Sequence, residues 1–256
     1  MNLSEATILI VDDEPELLEI TAESLARVAG RVLTANNGAV ALQTLKAARV
    51  DAIVSDVRMP VMDGIELLKN VRSSFPQGLA MMMVSGFSDL TAREAFDLGA
   101  AATLAKPVRR KDMIQGLERA LADQKQLWRE PAPEVENASF TLSRDFASLP
   151  QAISAAEIAF GRGGFCIRAT EHLREAPVHL AINFAADHQT LSGGGMVRWF
   201  DPKDKLAGVE ILSLAVGCLD WVAGLTREPG RSFIPAQPQS PALAPAHAAA
   251  ARVPLR

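Results

Sequence analysis

The chain predicts two domains in series: an α/β domain built on five parallel strands, then a small mostly-β barrel with a C-terminal helix. Three observations carry that expectation. Over the first ~120 residues short apolar runs alternate with amphipathic stretches, the pattern of strands covered by helices on both faces. Further on the apolar period shortens to two, as in Val178-His179-Leu180-Ala181-Ile182-Asn183-Phe184, the mark of half-buried strands. Between these regions lies a proline-rich passage, Glu130-Pro131-Ala132-Pro133.

In the first domain the strands are expected at residues 7–11, 31–35, 52–55, 79–84 and 101–105. Helical runs separate them at 16–28, 39–48, 65–75 and 90–98, with a last helix after Arg109. In the first helix Leu17, Leu18, Thr21, Leu25 and Val28 recur at helical spacing and predict one core-facing stripe. Gly30 and Gly99 stand where helices stop. Five such units fit a doubly wound, flavodoxin-like sheet, whose ligands bind beyond the carboxyl ends of the strands.

This reading puts the first domain at 1–123 and a linker, a helix tail running into extended chain, at 124–138. The second domain follows at 139–226. Within it Gly193-Gly194-Gly195 is expected to break the chain before a strand at 196–200, and Asp201-Pro202-Lys203-Asp204 to turn it. Val209 and Ile211 begin another strand, and Leu214, Ala215, Cys218, Leu219 and Val222 trace a closing helix. The Pro/Ala-rich tail, 227–256, lacks the composition for a core and is expected to be disordered.

The bulk properties narrow the function. A chain of 256 residues can build two cores. Its net charge of −4 gives no general attraction for nucleic acid or an anionic membrane, and no helix-turn-helix pattern or basic face points to DNA. Glu5 interrupts any apolar leader, and the apolar stretch 211–225 contains Asp220 and is short for a bilayer, so no membrane insertion is expected. Cys166 and Cys218 lie in apolar stretches and read as reduced core thiols of a cytoplasmic protein. His172, His179, His188 and His247 lack metal-ligand spacing with the cysteines, and the second domain offers no nucleophile paired with a base. A binding or switching role is expected, not an enzyme.

The chemistry sits at strand ends. Asp12 and Asp13 close the first strand, Asp56 the third, Ser85 the fourth, and Lys106-Pro107 follows the fifth. Carboxylates, a hydroxyl and an ammonium together suit a Mg²⁺-dependent phosphoacceptor. A carboxylate can attack phosphorus only if the repulsion between anions is cancelled, and Mg²⁺ is small, hard and oxygen-seeking. A lysine can meet one phosphoryl oxygen and a hydroxyl another.

On those residues the first domain resembles the receiver domain of two-component response regulators. In that family a sensor histidine kinase or phosphotransfer protein donates a phosphoryl group to an aspartate. The resemblance implies Asp56 as acceptor, Asp12 and Asp13 as Mg²⁺ ligands with the main-chain carbonyl of Arg58, Ser85 as switch hydroxyl, and Lys106 before a cis proline. Two positions depart from the family. Thr103 stands where an aromatic switch residue is usual, and Val108 where Phe is common. A small hydroxyl cannot swing in and fill space as a ring does, so an altered output surface is expected.

The second domain resembles PilZ domains, small barrels that bind cyclic di-GMP, through 161–168, Met196-Val197-Arg198-Trp199-Phe200-Asp201-Pro202 and the run 208–212. Its ligand elements are degenerate. Ala159-Phe160-Gly161-Arg162-Gly163-Gly164 keeps only the glycine of the family's second element, and Arg129 and Arg144 are isolated. Arg162, Arg168 and Arg198 are the remaining candidates for the nucleotide, together with Arg227 and Arg231 beyond the barrel. The expectation is a response regulator of a bacterial phosphorelay whose PilZ-like domain signals to a protein partner, with room for a homodimer. The alternative is a dual-input regulator that also binds cyclic di-GMP.

Overall fold

The computed structural model describes residues 1–75, 79–86, 89–169, 173–226 and 232–236. A 3-10 turn at Leu3–Glu5 precedes β1 (Thr7–Val11). There follow α1 (Pro15–Ala26), β2 (Arg31–Ala35), α2 (Gly38–Ala47), β3 (Ala52–Asp56), α3 (Gly64–Ser74), β4 (Ala80–Ser85), α4 (Ala92–Asp97), β5 (Ala102–Ala105) and α5 (Arg110–Leu121). The five strands pair in parallel in the order β2-β1-β3-β4-β5. Successive strand residues point to opposite faces, so each face carries its own core. Leu9, Val11, Ile53, Met81 and Met83 pack against Leu45 of α2 and Leu67, Leu68 and Val71 of α3. Ile8, Ile10, Val54 and Met82 pack against Leu25 of α1 and Met113 and Leu117 of α5.

The α1 stripe needs one correction. Leu18, Ala22 and Leu25 face the sheet, whereas Leu17 is 40% exposed and neighbouring Ile20 is 65% exposed. The spacing 18, 22, 25 already covers the sheet, and Leu17 lies one residue, about 100° of helix, off that line.

The second domain contains α6 (Gln124–Leu127), α7 (Pro133–Glu136), β6 (Thr141–Phe146), α8 (Leu149–Ser154), β7 (Ile158–Phe160), β8 (Gly164–Arg168), β9 (Pro177–Phe184), a 3-10 turn at Ala185–Asp187, β10 (Gln189–Asp201), β11 (Leu206–Leu214) and α9 (Val216–Leu225). Six strands form one sheet in the order β6-β9-β10-β11-β8-β7, antiparallel except for the parallel pair β6 and β9. The edge strands β6 and β7 do not pair with each other. They are bridged by α8 and by Arg144, whose guanidinium reaches Glu157 at 3.4 Å, so the architecture is a half-barrel, consistent with the small mostly-β barrel expected. Its core holds Val178, Leu180, Ile182 and Phe184 of β9, as their alternation predicts, with Cys218, Leu219 and Val222 of α9.

Three expectations fail in this half, each through long-range contact. The glycine triplet does not break the chain; β10 runs through it with a bulge between Gly194 and Gly195. At Gly193, φ is +151°, and a Cβ would stand 2.2 Å from the carbonyl oxygen of Ser213, so glycine there lets two strands cross closely. The linker is not extended. It folds into α6 and α7, and Trp128 is 1% exposed in the barrel core, its Nε1 donating to the Ile211 carbonyl at 3.0 Å. Finally, Phe233 and Ile234 of the tail are buried. The remainder of 227–256, with Arg227, Arg231 and His247, lies outside the described residues, as does His172.

The two domains meet along α4, β5 and α5. Arg93 of α4 lies over the ring of Trp199, 5.2 Å from its centroid, and pairs with Asp201 and, at 3.4 Å, Asp204. Arg119 of α5 donates to Glu210 of β11 at 3.1 Å. Arg162, in the turn between β7 and β8, donates to the Gly99 carbonyl at 2.9 Å. Between these contacts Phe96, Cys166, Trp199, Leu206, Phe233 and Ile234 form a small apolar core of their own.

Candidate functional site

Parallel strands bring their carboxyl ends to one edge of the sheet. β3 ends on Asp56 and β4 on Ser85; Asp12 and Asp13 directly follow β1, and Lys106 directly follows β5. The fold therefore gathers three carboxylates, a hydroxyl and an ammonium, of which only Asp12 and Asp13 are neighbours in the chain.

Oxygens of Asp12, Asp13 and Asp56 lie within 4.8 Å of one another. Asp56 is buried, Asp12 half-buried and Asp13 exposed. Lys106 Nζ stands 2.9 Å from Asp56 Oδ2, and the Val57 N–H donates to Asp56 Oδ1 at 2.9 Å. One carboxylate oxygen is thus held by the backbone and the other faces the ammonium. The Lys106 N–H donates to the Ser85 carbonyl at 2.9 Å, fixing these two residues side by side, and the Lys106–Pro107 bond is cis.

The electrostatics follow from crowding. Burial pushes the Asp12 carboxyl above its usual range and the Asp56 charge adds to this, although the Glu14 N–H bond (2.9 Å) pulls the other way. For Lys106 burial alone favours the neutral amine. The hydrogen bond that Lys106 donates to Asp56 and the charges of Asp56, Asp12 and Glu14 outweigh it and hold the ammonium above its ordinary value. Three carboxylates against one ammonium leave the cleft with excess negative charge. An all-oxygen anionic donor set of this kind fits a hard divalent cation such as Mg²⁺, with Asp12, Asp13 and Asp56 as the residues to hold it.

The sequence of residues 8–118 matches the response regulator receiver domain family. Residues 8–118 are a response regulator receiver domain. Curated relatives agree over the same region. Transcriptional regulatory protein GlrR of Escherichia coli K12 is 32% identical over 121 residues, 47% of this chain and 27% of that protein. Response regulator receiver protein Anae109_2439 of Anaeromyxobacter sp. Fw109-5 is 38% identical over 100 residues, 39% of this chain and 42% of the relative. The chain therefore spans between about a quarter and a half of these relatives' length. Among solved structures, a receiver domain protein from Clostridium thermocellum aligns with 45% of this chain and 94% of its own (29% identity, TM-score 0.43). The chemotaxis protein CheY4 of Vibrio cholerae aligns with 46% and 99% (32% identity, TM-score 0.42). Receiver domains accept phosphoryl groups in two-component systems from a histidine kinase or phosphotransfer partner, and generally use Mg²⁺ at an acidic pocket like this one.

The receiver domain's remaining residues fall as follows. Arg58 lies on the loop just past Asp56, and its side chain pairs with Asp89 at 2.9 Å. Asp89 was not singled out from sequence; its second oxygen accepts from the Gly86 N–H at 3.0 Å, so it links the loop after β3 to the one after β4. Thr103 lines a cavity of about 200 Å³ between the domains, together with Gly116, Arg119, Arg198 and Glu210. The position of the family's switch ring thus opens toward the half-barrel. Glu210, a buried carboxylate shared by Arg119 and Arg198, also escaped the sequence reading, since neither partner is near it in the chain.

The three barrel arginines do not converge. Arg198 pairs with Glu210, Arg168 with Glu157 (3.5 Å) and the Asp204 carbonyl (3.2 Å), and Arg162 with the receiver's Gly99 carbonyl. Each of these candidate residues is engaged by protein groups. Both cysteines are buried, and burial pushes the Cys166 thiol up to about 12, leaving it unreactive at neutral pH. Among the described residues no helix is long and apolar enough to cross a membrane.

Proposed function

We propose that this chain is a response regulator in which Asp56 is the phosphoacceptor and the half-barrel relays the signal to a protein partner. The observation that carries the reading is the Asp56 carboxylate held between the Val57 N–H and the Lys106 ammonium, beside Asp12 and Asp13. In the transfer one Asp56 carboxylate oxygen forms a bond to phosphorus while the P–N bond of a phosphohistidine breaks. The electron pair of that bond stays on the imidazole, which takes up a proton. Lys106 and the Ser85 hydroxyl meet the phosphoryl oxygens, and the three aspartates with the main-chain carbonyl of Arg58 would hold the cation. When bound, Mg²⁺ would supply neutralisation of the charge that builds up during transfer. The exposed Leu17 and Ile20 on α1, just past Asp13, offer apolar surface to the phosphodonor protein. The protein acts as a switch, not as an enzyme on a separate substrate.

For the output, the engaged arginines of the half-barrel favour protein contact over cyclic di-GMP or DNA. The PilZ-like character of this domain rests on its sequence segments and six-stranded half-barrel. Intact mass after exposure to a small phosphodonor and Mg²⁺ tests the acceptor. Wild type should gain one phosphoryl mass and Asp56→Ala none; the same gain on both would refute the assignment. Micromolar cyclic di-GMP binding in calorimetry would overturn the output reading.

A further inference from the structure

Residues 232–236, Ser-Phe-Ile-Pro-Ala, contain the only aromatic residue after Trp221 in the sequence. They lie between the two domains and are gripped from both sides. On the barrel side, the N–H groups of Arg162 and Gly163 donate to the carbonyls of Ser232 and Phe233 at 2.9 and 3.0 Å. On the receiver side, the N–H groups of Phe233 and Ile234 donate to the Phe96 carbonyl at 3.0 and 3.4 Å, and that of Ala236 to Asp97 Oδ1 at 2.7 Å. Phe96 and Asp97 are the last two residues of α4; the tail adds its N–H groups to a Phe96 carbonyl that also accepts from the Gly99 N–H at 3.1 Å.

The side chains are fitted as closely as the backbone. The Phe233 ring stacks on Phe96 with centroids 5.8 Å apart, and the Arg162 guanidinium lies 5.6 Å from its centre. Ile234 is fully buried and Pro235 is buried beside it. Room for this packing comes from two glycines. A Cβ at Gly163 would stand 2.1 Å from the Phe233 ring, and one at Gly161 2.6 Å from the Ser232 and Phe233 carbonyl oxygens. The Gly161-Arg162-Gly163 turn, which in sequence suggests a nucleotide contact, is here shaped around a peptide.

From this we infer that the junction of α4 with the β7–β8 turn is a peptide-binding groove for an aromatic–aliphatic–proline segment, and that the chain's own residues 232–236 are its ligand. Recognition combines main-chain hydrogen bonds, which any extended peptide can make, with one aromatic pocket, which gives selectivity. Two of the six residues of the interdomain core, Phe233 and Ile234, come from this segment. Its occupancy therefore sets how much of the α4 side of the receiver domain is covered, beyond the cover that Trp199 and Leu206 give. The inference is independent of events at Asp56.

Hydrogen exchange on the full chain tests it with two variants, Phe233→Ala and Gly163→Ala. In both, amides of 92–99 and 161–167 should exchange at least about tenfold faster, equivalent to about 1.4 kcal/mol of lost protection, while 7–11 and 52–56 keep theirs. A nine-residue peptide of sequence 230–238, in excess, should restore slow exchange to Phe233→Ala, and the same peptide with alanine for Phe233 should not. Unchanged exchange in both variants would overturn the groove. So would faster exchange that the peptide fails to reverse, because the segment would then be a fixed part of the fold and not a ligand.

Discussion

Arg119 of α5 meets Glu210 of β11 at 3.1 Å across the domain boundary, and Arg198 of β10 approaches the other oxygen of the same carboxylate at 2.6 Å. Glu210 is only 8% exposed, and both guanidinium groups pair with its carboxylate. Glu210→Gln keeps the shape and removes the charge. It should cost about 3 kcal/mol in urea unfolding, the scale for breaking a buried pair. Arg119→Met should cost less in the Glu210→Gln background than alone, because the two residues share one interaction.

Lys106 supplies positive charge to a cleft of three carboxylates. Lys106→Met should therefore act in opposite directions on two measurements. Mg²⁺ binding, followed by calorimetry, should tighten several-fold because a competing cation is gone. Phosphoryl acceptance from a small donor should slow by about 10²-fold, the scale of losing one preorganised contact to developing charge.

The pH dependence has two limbs with defined signs. Lys106 is held above its ordinary 10.5, so its contribution to stability is complete below that value and is lost as pH rises through the higher folded value. Asp12 is raised above its ordinary 3.8, so protons compete with Mg²⁺ from a higher pH than an unperturbed carboxylate would allow. Without metal, protonating Asp12 relieves its burial penalty as pH falls. The Mg²⁺-induced rise in Tm should accordingly be full at neutral pH and shrink on acidification, and an Asp12→Asn variant should lack this shift.

Trp128 belongs to the half-barrel despite lying before it in sequence. Trp128→Ala should destabilise that domain by about 3–5 kcal/mol, with the receiver domain's own transition little changed. Trp128→Phe should cost less, retaining the ring but leaving the Ile211 carbonyl without its 3.0 Å donor. Denaturant unfolding followed separately in the two domains distinguishes this from an extended connector, where alanine would be nearly neutral.

Much of the receiver domain is legible in its sequence because its signals are local. Alternating strands and helices, with Asp12, Asp56, Ser85 and Lys106 at strand ends, require only that parallel strands share a direction. Leu17 shows the limit of periodicity, since a stripe read one residue wide of its true line places an exposed side chain in the core. The glycine triplet, the linker and the tail were misread for a different reason. Composition marks all three as irregular, and it cannot register what packs against them. Gly193 meets Ser213, Trp128 meets Ile211, and Phe233 meets Phe96.

The sequence by itself placed Asp56, Asp12, Asp13 and Lys106 at one edge of the sheet, because residues at the ends of parallel strands converge by geometry alone. Tertiary structure decided which of the arginines are free to bind anything and what covers the α4 face. Arg119 and Glu210 are 91 positions apart, and Ala236 and Asp97 are 139 apart. Over such separations only the folded arrangement pairs a charge with its partner, or an aromatic ring with the glycines that admit it.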